Sequence, residues 1–477
     1  MQQAVAYVAD RGDVDWGSPP PFSRVAALKS SRRRAVFGWS ALLALFLILA
    51  QMSTFSLPRP VAGFDEVAHL DYAIQLGKGN LPTWDTVYSD ELRRIGYCAG
   101  TLWTPSNDCS EQVGSLDSIF PSNHSYEAQH PPIGYLPAAM AWAMGVERVD
   151  DPVSQLALMR ASNLFWAFAF ILLVALLVSL LTRHLWVALA AVVFTATNPQ
   201  LVGSLSYLTN DAAAPAIGCL LAISAVVAYR TKAPVRLMSP VVILVVSVGL
   251  LSGLTKLTFA VVPLSFLIFA VLARRRNLAV LSATQIIALV GVNLAYSSIL
   301  AARSRLSASE VWAELLGFSA GMPFTPLEVV NSAAGTVGIF LDEDLIWGPV
   351  RPTPTAYLAL GLVSGAFFVL SLVRDRGTES LVPDQALIGR ATVVAAIVSA
   401  VGWTLYMYSL GGYVWEFPPR YLIPLVPVMG IAAMGAFRAY RKVLWVYVAS
   451  GVVVAVFFSG PLGSRSANFS RLLEYVA

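Results

Sequence analysis

The sequence predicts an all-α, polytopic integral membrane protein with about eleven transmembrane helices, each apolar for roughly the length that crosses hydrocarbon. Three observations lead there. Of 477 residues, 57% are hydrophobic and only 13% charged, with a mean hydropathy of +0.66, whereas soluble domains carry roughly 25% charged residues. Apolar runs recur at a length close to the roughly 20 residues that a spanning helix needs. The basic clusters between those runs all fall on one side of the membrane. A soluble domain is thereby excluded, and a net charge of +4 gives no reason to expect a nucleic-acid partner.

Candidate spans lie near 37–57, 160–182, 185–201, 212–229, 239–255, 258–273, 279–300, 354–373, 388–409, 421–437 and 443–460. The segment 239–273 also reads as one hairpin of short helices. Arg32-Arg33-Arg34 precedes the first span, and Arg230, Lys232 and Arg236 follow the fourth. Arg274-Arg275-Arg276 follows the sixth, Arg374 and Arg376 the eighth, and Arg438, Arg441 and Lys442 the tenth. Loops rich in Lys and Arg stay in the cytoplasm. The N-terminus is therefore expected inside and the C-terminus outside, with loops 58–159 and 301–353 extracytoplasmic.

Residues 1–34 are expected to form a flexible cytoplasmic tail, because they carry Pro19-Pro20-Pro21 and no apolar periodicity. The transmembrane domain covers 35–460, and 461–477 forms a short extracytoplasmic tail. A cleaved signal peptide is not expected, since the apolar run after the arginines is long enough to span and no small-x-small site follows it. No internal repeat is evident, which counts against an inverted-repeat transporter.

The first outside loop is far longer than an ordinary connection and mixes aromatic, acidic and Pro residues, including Tyr126-Glu127-Ala128-Gln129-His130-Pro131-Pro132-Ile133-Gly134-Tyr135. The apolar stretch after Pro132 is too short to span before Glu147 and Arg148, and reads as a re-entrant or interfacial helix. Cys98 and Cys109 lie in this loop, where oxidising conditions allow a disulfide; Cys219 sits within a span as a small apolar filler. The second loop carries Trp312, Phe318, Phe324, the acidic triplet Asp342-Glu343-Asp344 and Trp347. It reads as interfacial helices, and the triplet either adds a metal ligand or forms a solvated turn.

Four ionisable groups crowd the run Gly63-Phe64-Asp65-Glu66-Val67-Ala68-His69-Leu70-Asp71-Tyr72-Ala73 just after the first span. In a helix, Asp65 and His69 share a face with Glu66 beside them. Such a face can hold a divalent cation such as Mg or Mn, or deprotonate a hydroxyl. The alternative is a solvated first turn, acidic because acid suits a helix N-terminus. Other polar residues stand at span ends on the same side. Asn210-Asp211 opens the fourth span, as a cap or as part of a cleft. Lys256, in Gly253-Leu254-Thr255-Lys256-Leu257-Thr258, either meets a phosphate or snorkels. Arg160 carries the same ambiguity. Arg420, after Pro418-Pro419, is either a rigid clamp for a phosphate or an interfacial anchor together with Tyr421.

At these residues the chain resembles the GT-C-type membrane glycosyltransferases. Phe64-Asp65-Glu66 with Tyr72-Ala73 and Gly79 is similar to their first-loop Asp-Glu motif, and His130-Pro131-Pro132-Ile133-Gly134-Tyr135 to their His-Pro-Pro-Leu-Tyr-Tyr element. Arg160-Ala161-Ser162-Asn163, Asn198-Pro199-Gln200 with Asn210-Asp211, the Lys256 segment and Pro419-Arg420-Tyr421-Leu422-Ile423-Pro424 complete the pattern. Within that superfamily the chain is most similar to a bacterial family of predicted membrane proteins of unknown function. The resemblance implies a polyprenyl-phosphate sugar donor used at the outer face of the bacterial plasma membrane, with a glycan, lipid or protein acceptor. It implies Asp65 as base or metal ligand, Glu66 and Asp211 as metal or acceptor ligands, and Lys256 and Arg420 as donor-phosphate contacts. Asn210, Tyr421, His130, Tyr135 and Arg160 are the further expected substrate contacts, and His69 joins Asp65 and Glu66 in the candidate metal set. The alternative function is a transporter or flippase for a lipid-linked glycan, and a third is a non-catalytic scaffold.

Overall fold

A computed structural model of the protein describes residues 31–55, 61, 63–100, 109, 124–146, 148–230, 239–307, 309–311, 326–340, 355–373, 385–411 and 417–457. Among them regular structure is helical, with an isolated β-bridge between Val87 and His124. The chain begins with α1 (Ser31–Phe55), α2 (Gly63–Gly77) and α3 (Asp90–Ala99). Next come α4 (Leu136–Gly145), α5 (Pro152–Ala161), α6 (Asn163–Leu181), α7 (Leu185–Ala196) and α8 (Pro199–Ser206). The central helices are α9 (Ala214–Arg230), α10 (Pro240–Gly253), α11 (Val261–Leu272) and α12 (Arg276–Arg303). The last are α13 (Pro326–Gly335), α14 (Thr355–Val373), α15 (Gln385–Gly411), α16 (Val426–Ala436) and α17 (Arg441–Phe457). Short 3₁₀ turns join several of them, among them Tyr126–Gln129, Pro132–Tyr135, Asn210–Ala213, Leu257–Ala260 and Pro419–Leu425.

The described residues of the predicted spans are largely helical, but the lengths differ and the count of eleven is not reached among them. Six helical stretches are long and apolar enough to cross a membrane: Ser31–Gln51, Pro152–Leu181, Asn210–Arg230, Arg276–Arg303, Ala386–Ser409 and Pro419–Ala436. A seventh arises if the bent pair α7–α8 is counted as one. The pair breaks by 54° at Asn198-Pro199, because proline lacks the N–H and disfavours helix in the residue before it. Asn198 caps the new helix, its Oδ1 accepting from Leu201 N at 3.2 Å, while its Nδ2 donates to Ile339 O at 2.8 Å. The segment 239–273 forms two short apolar helices, Pro240–Gly253 and Leu257–Leu272, around a bend at Lys256. The first helix starts at Ser31, so the arginine triplet stands in its first turn rather than in a tail. Residues 1–30 and 458–477 lie outside the described residues.

Burial orders the bundle. Within their most apolar windows, Asn210–Arg230 is 83% buried and Pro419–Ala436 94%, against 33% for both α1 and α12. These two stretches, with α7, in which Val187 through Ala196 are all buried, are among the most enclosed. The two stretches touch closely: a Cβ on Gly218 of α9 would lie 2.6 Å from Pro424 Cα. Side-chain amides tie α12 to its neighbours, Gln285 Nε2 donating to Ser224 Oγ of α9 at 2.8 Å and Asn293 Nδ2 to Gly253 O of α10 at 3.1 Å, as polar groups do between helices in lipid.

At one end of the bundle α2, α3, α4 and the 3₁₀ turns pack into a cap with its own apolar core, including Leu70, Tyr72, Leu92, Tyr126, Tyr135 and Trp142. Helix α4 spans ten residues, about 15 Å at 1.5 Å per residue, too short to cross. Met140 and Met144 on it are exposed, consistent with an interfacial helix. Basic residues gather at the other end, where Arg441 lies over Trp186, Trp186 Nε1 donates to Arg438 O at 3.1 Å, and Arg275 lies over Tyr229.

Candidate functional site at the capped end of the bundle

Helix α2 carries Glu66, His69 and Asp71 into the cap, all buried. Glu66 meets Arg160 in a two-pronged pair, with Arg160 Nε to Oε1 at 2.8 Å and a second guanidinium nitrogen to Oε2 at 2.7 Å. Leu208 N adds a donor to Oε1 at 3.0 Å. Both side chains are 1% exposed. Glu66, expected as metal or catalytic carboxylate, and Arg160, expected as substrate contact, pair with each other as a strut. It ties α2 to α5 and to the strand of chain entering Asn210. Ionic hydrogen bonds that fill both carboxylate oxygens leave little for a ligand.

The strut sets the position of the next three residues. Asn210 and Asp211 do not cap their helix with side chains; both turn to Lys256. Lys256 Nζ donates to Asp211 Oδ1 at 2.6 Å and to Asn210 Oδ1 at 3.0 Å, and stands 4.3 Å from the centroid of the Tyr421 ring. It does not snorkel: it is 2% exposed. Arg420 Nε reaches the other Asp211 oxygen at 3.3 Å, while its side chain keeps 28% of its surface open. Three chain segments far apart in sequence thus place two cations on one carboxylate. Three buried atoms here have no hydrogen-bond partner among the described residues: Asn210 Nδ2, Thr209 Oγ1 and Thr258 Oγ1. Buried polar groups are nearly always paired, so this corner is built for something polar.

The His130–Tyr135 element lies against that corner. A Cβ on Gly134 would come within 3.1 Å of Asn210 Cβ, and Ile133 N donates to Leu254 O at 3.3 Å. Tyr135 and His130 project the other way, toward Glu127, a residue that sequence reasoning left without a role. Tyr135 donates to Glu127 Oε2 at 3.0 Å and lies 2.8 Å from His69 Nδ1. His69 Nδ1 and His130 Nε2 each stand 3.3 Å from the same oxygen. Burial, then the charges of Lys256 and Arg420, push both imidazoles well below their ordinary pKa, so both are neutral near pH 7. Burial and the Glu127 charge hold the Tyr135 phenol protonated. The backbone of this loop is held by Tyr72, which donates to His130 O at 2.9 Å, and by Tyr296, which donates to Ala128 O at 3.0 Å.

Asp71 is the second carboxylate that the sequence left unassigned. Its Oδ1 accepts from Ser89 N and Oγ at 2.8 and 2.6 Å, and its Oδ2 is buried with no partner among the described residues. Burial pushes its pKa up to about 6.

Asp65 lies in the first turn of α2, and its side chain falls outside the described residues, as do Asp342-Glu343-Asp344 and Trp347. The expected divalent-cation set therefore finds no support in the described residues. No group of three His, Cys, Asp or Glu among them is placed to hold a metal. Glu66 is committed to Arg160, and His69 Nδ1 to Tyr135. Cys98 and Cys109 are joined in a disulfide, their Cα atoms 5.1 Å apart, and Cys219 is free and buried.

Residues 117–429 match the family described as Predicted membrane protein (DUF2142). The chain belongs to this family. The match takes in the Glu127 loop, the Lys256 bend and Arg420, but not α2. No curated protein matches the chain. Among solved structures, the chain is similar to ArnT from Cupriavidus metallidurans bound to undecaprenyl phosphate, with a TM-score of 0.45 and 11% identity over 92% of this chain and 70% of that one. It is similar to the Archaeoglobus fulgidus oligosaccharyltransferase in the apo form, at 0.42 and 16%, over 94% of this chain and 55% of that one. A third similarity is to AglB from the same organism in complex with an inhibitory peptide and a dolichol-phosphate, at 0.41 and 15%, over 91% and 56%. The chain thus spans little more than half the length of the archaeal enzyme's chain.

Proposed function

We propose that this membrane protein is a glycosyltransferase that moves a sugar from a polyprenyl-phosphate donor to an envelope glycan, lipid or protein acceptor at the extracytoplasmic face of a bacterial plasma membrane. One observation carries the reading. Lys256 and Arg420 converge on Asp211 at the membrane end of the cap, beside the unpartnered Asn210 Nδ2 and Thr258 Oγ1. A departing phosphate needs positive charge already in place and shielded from water, and this corner offers two cations and free donors. Asp211 holds the cations side by side, so a phosphate oxygen entering between them meets both. Tyr421 backs Lys256 with its ring face, which favours a cation without adding a competing anion. The face of α2 that carries Asp65 and His69 supplies the side that receives the acceptor's proton; the motif resemblance implies Asp65 for that role.

Purified protein is incubated with a panel of polyprenyl-phosphate sugars plus envelope acceptors, and consumption of each donor is followed. The reading expects one donor to be consumed with stoichiometric release of polyprenyl phosphate. Movement of intact donor across proteoliposomes without consumption would favour the transporter instead.

A further inference from the structure

Tyr135 has one proton to give, and it gives it to Glu127 Oε2 at 3.0 Å. The 2.8 Å contact between Tyr135 Oη and His69 Nδ1 then requires the imidazole to be the donor. His69 is accordingly protonated on Nδ1, and its Nε2 carries a lone pair. The tautomer of a histidine is set by the hydrogen bond its other nitrogen makes, and here a carboxylate acting through a phenol makes that choice. Nε2 of His69 has no hydrogen-bond partner among the described residues, although the ring is 3% exposed.

We propose that Glu127 and Tyr135 form a relay that fixes His69 with Nε2 as the atom that takes the proton from the acceptor hydroxyl. The proposal rests on the glycosyltransferase reading and assigns an atom within the proton-accepting face of α2. In the step, the acceptor oxygen bonds to the anomeric carbon as the bond from that carbon to the phosphate oxygen breaks. The electron pair leaves with polyprenyl phosphate, and the hydroxyl proton moves to His69 Nε2. The new imidazolium is stabilised through Nδ1–H, Tyr135 and the Glu127 carboxylate, as a buried acid stabilises an imidazolium in hydrolase triads. His130 Nε2 stands 3.3 Å from Glu127 Oε2, that same carboxylate's oxygen, and helps to hold the carboxylate in line. The charged groups that face His69 are Glu127 from the loop, Lys256 from the α10–α11 bend and Arg420 before α16; Asp211 bears on Tyr135. Glu127 and Tyr135 are positioning residues, and His69 is the catalytic one.

The sequence has four histidines, so ¹³C,¹⁵N-histidine labelling of the full-length protein in lipid gives a spectrum of four rings. The resonances lost in His69→Gln identify the ring. The expected result is a neutral His69 protonated on Nδ1, turning to a mixture of tautomers in Tyr135→Phe and in Glu127→Gln. Sugar transfer by Tyr135→Phe falls by at least about tenfold, and by His69→Gln by about a hundredfold, while donor binding stays within twofold of the wild type. A wild-type His69 protonated on Nε2, or full transfer by a folded His69→Gln protein, overturns the proposal. If no polyprenyl-phosphate sugar is consumed even by the wild type, the function reading fails instead, and the tautomer measurement still reports on the relay.

Discussion

Two buried ion systems sit a few residues apart in this protein, and they differ in one respect. Glu66–Arg160 is closed: two ionic hydrogen bonds and a backbone donor fill it, and both partners are 1% exposed. Lys256–Asp211–Arg420 is open: it has two cations to one acid, an arginine 28% exposed, and unpartnered polar atoms beside it. Both are expensive to bury. The closed system satisfies every charge and so explains itself as structure. The open one leaves buried polar atoms without a partner among the described residues, Asn210 Nδ2, Thr209 Oγ1 and Thr258 Oγ1, which a ligand can use. Burial and charge alone do not separate a strut from a site; completeness of pairing does.

The largest expected effect breaks the strut. Arg160→Met leaves Glu66 charged and buried without its partner, which costs about 3–5 kcal/mol; thermal unfolding in detergent should show it, and an unchanged midpoint would mean the pair is not structural. Next comes the open system. Lys256→Met should lower sugar transfer by about 10²–10³-fold, the size expected for one lost electrostatic contact to a transition state. It should destabilise less than Arg160→Met, because Arg420 still neutralises Asp211. Equal destabilisation by the two variants would erase the distinction between strut and site. Asp65→Asn should reduce transfer by about 10²-fold while the protein still expresses, and full activity would remove the first turn of α2 from the chemistry. Gly218→Ala, which presses a methyl group onto Pro424, should cost about 1–3 kcal/mol and lower donor affinity by displacing Arg420.

The smallest effect is a pH dependence in the cap. Asp71 has its pKa raised by burial from 3.8 to about 6. The folded state therefore holds this proton more tightly than the unfolded state. Folded stability falls as pH rises from about 4 to about 6, and is level above that window. Asp71→Asn should flatten that slope in unfolding curves measured across those pH values, and an unchanged slope would assign it to another group.

Much of this was legible in the residues. Apolar run length marked the helices, and Pro199, Pro240 and Pro263 did not hide them. The polar positions Asn210, Asp211, Lys256, Arg420 and Tyr421 were identifiable because charge at a span end has few ordinary explanations. Their partners were not. Lys256 meets Asp211 across 45 residues and Arg160 meets Glu66 across 94, and neither local spacing nor helical register carries information over such distances. Glu127 was in view in the Tyr126–Tyr135 run, but it lies in the single 3₁₀ turn Tyr126–Gln129, too short for a period to say which way a side chain points. The partners of Glu66 and His69, suggested with Asp65 as a metal set, were hidden for the same reason. Shared helical face made them neighbours in sequence logic, while packing handed Glu66 to Arg160 and His69 to Tyr135.

By itself, then, the sequence determined that this chain is a helical membrane protein with its unusual polar residues at one end, because hydrophobic length and charge are local, additive properties. Which of those polar residues are used up by each other, and which remain for a ligand, was decided only by the tertiary structure. Pairing of buried charges is a property of distances between segments, and those exist only once the helices have packed.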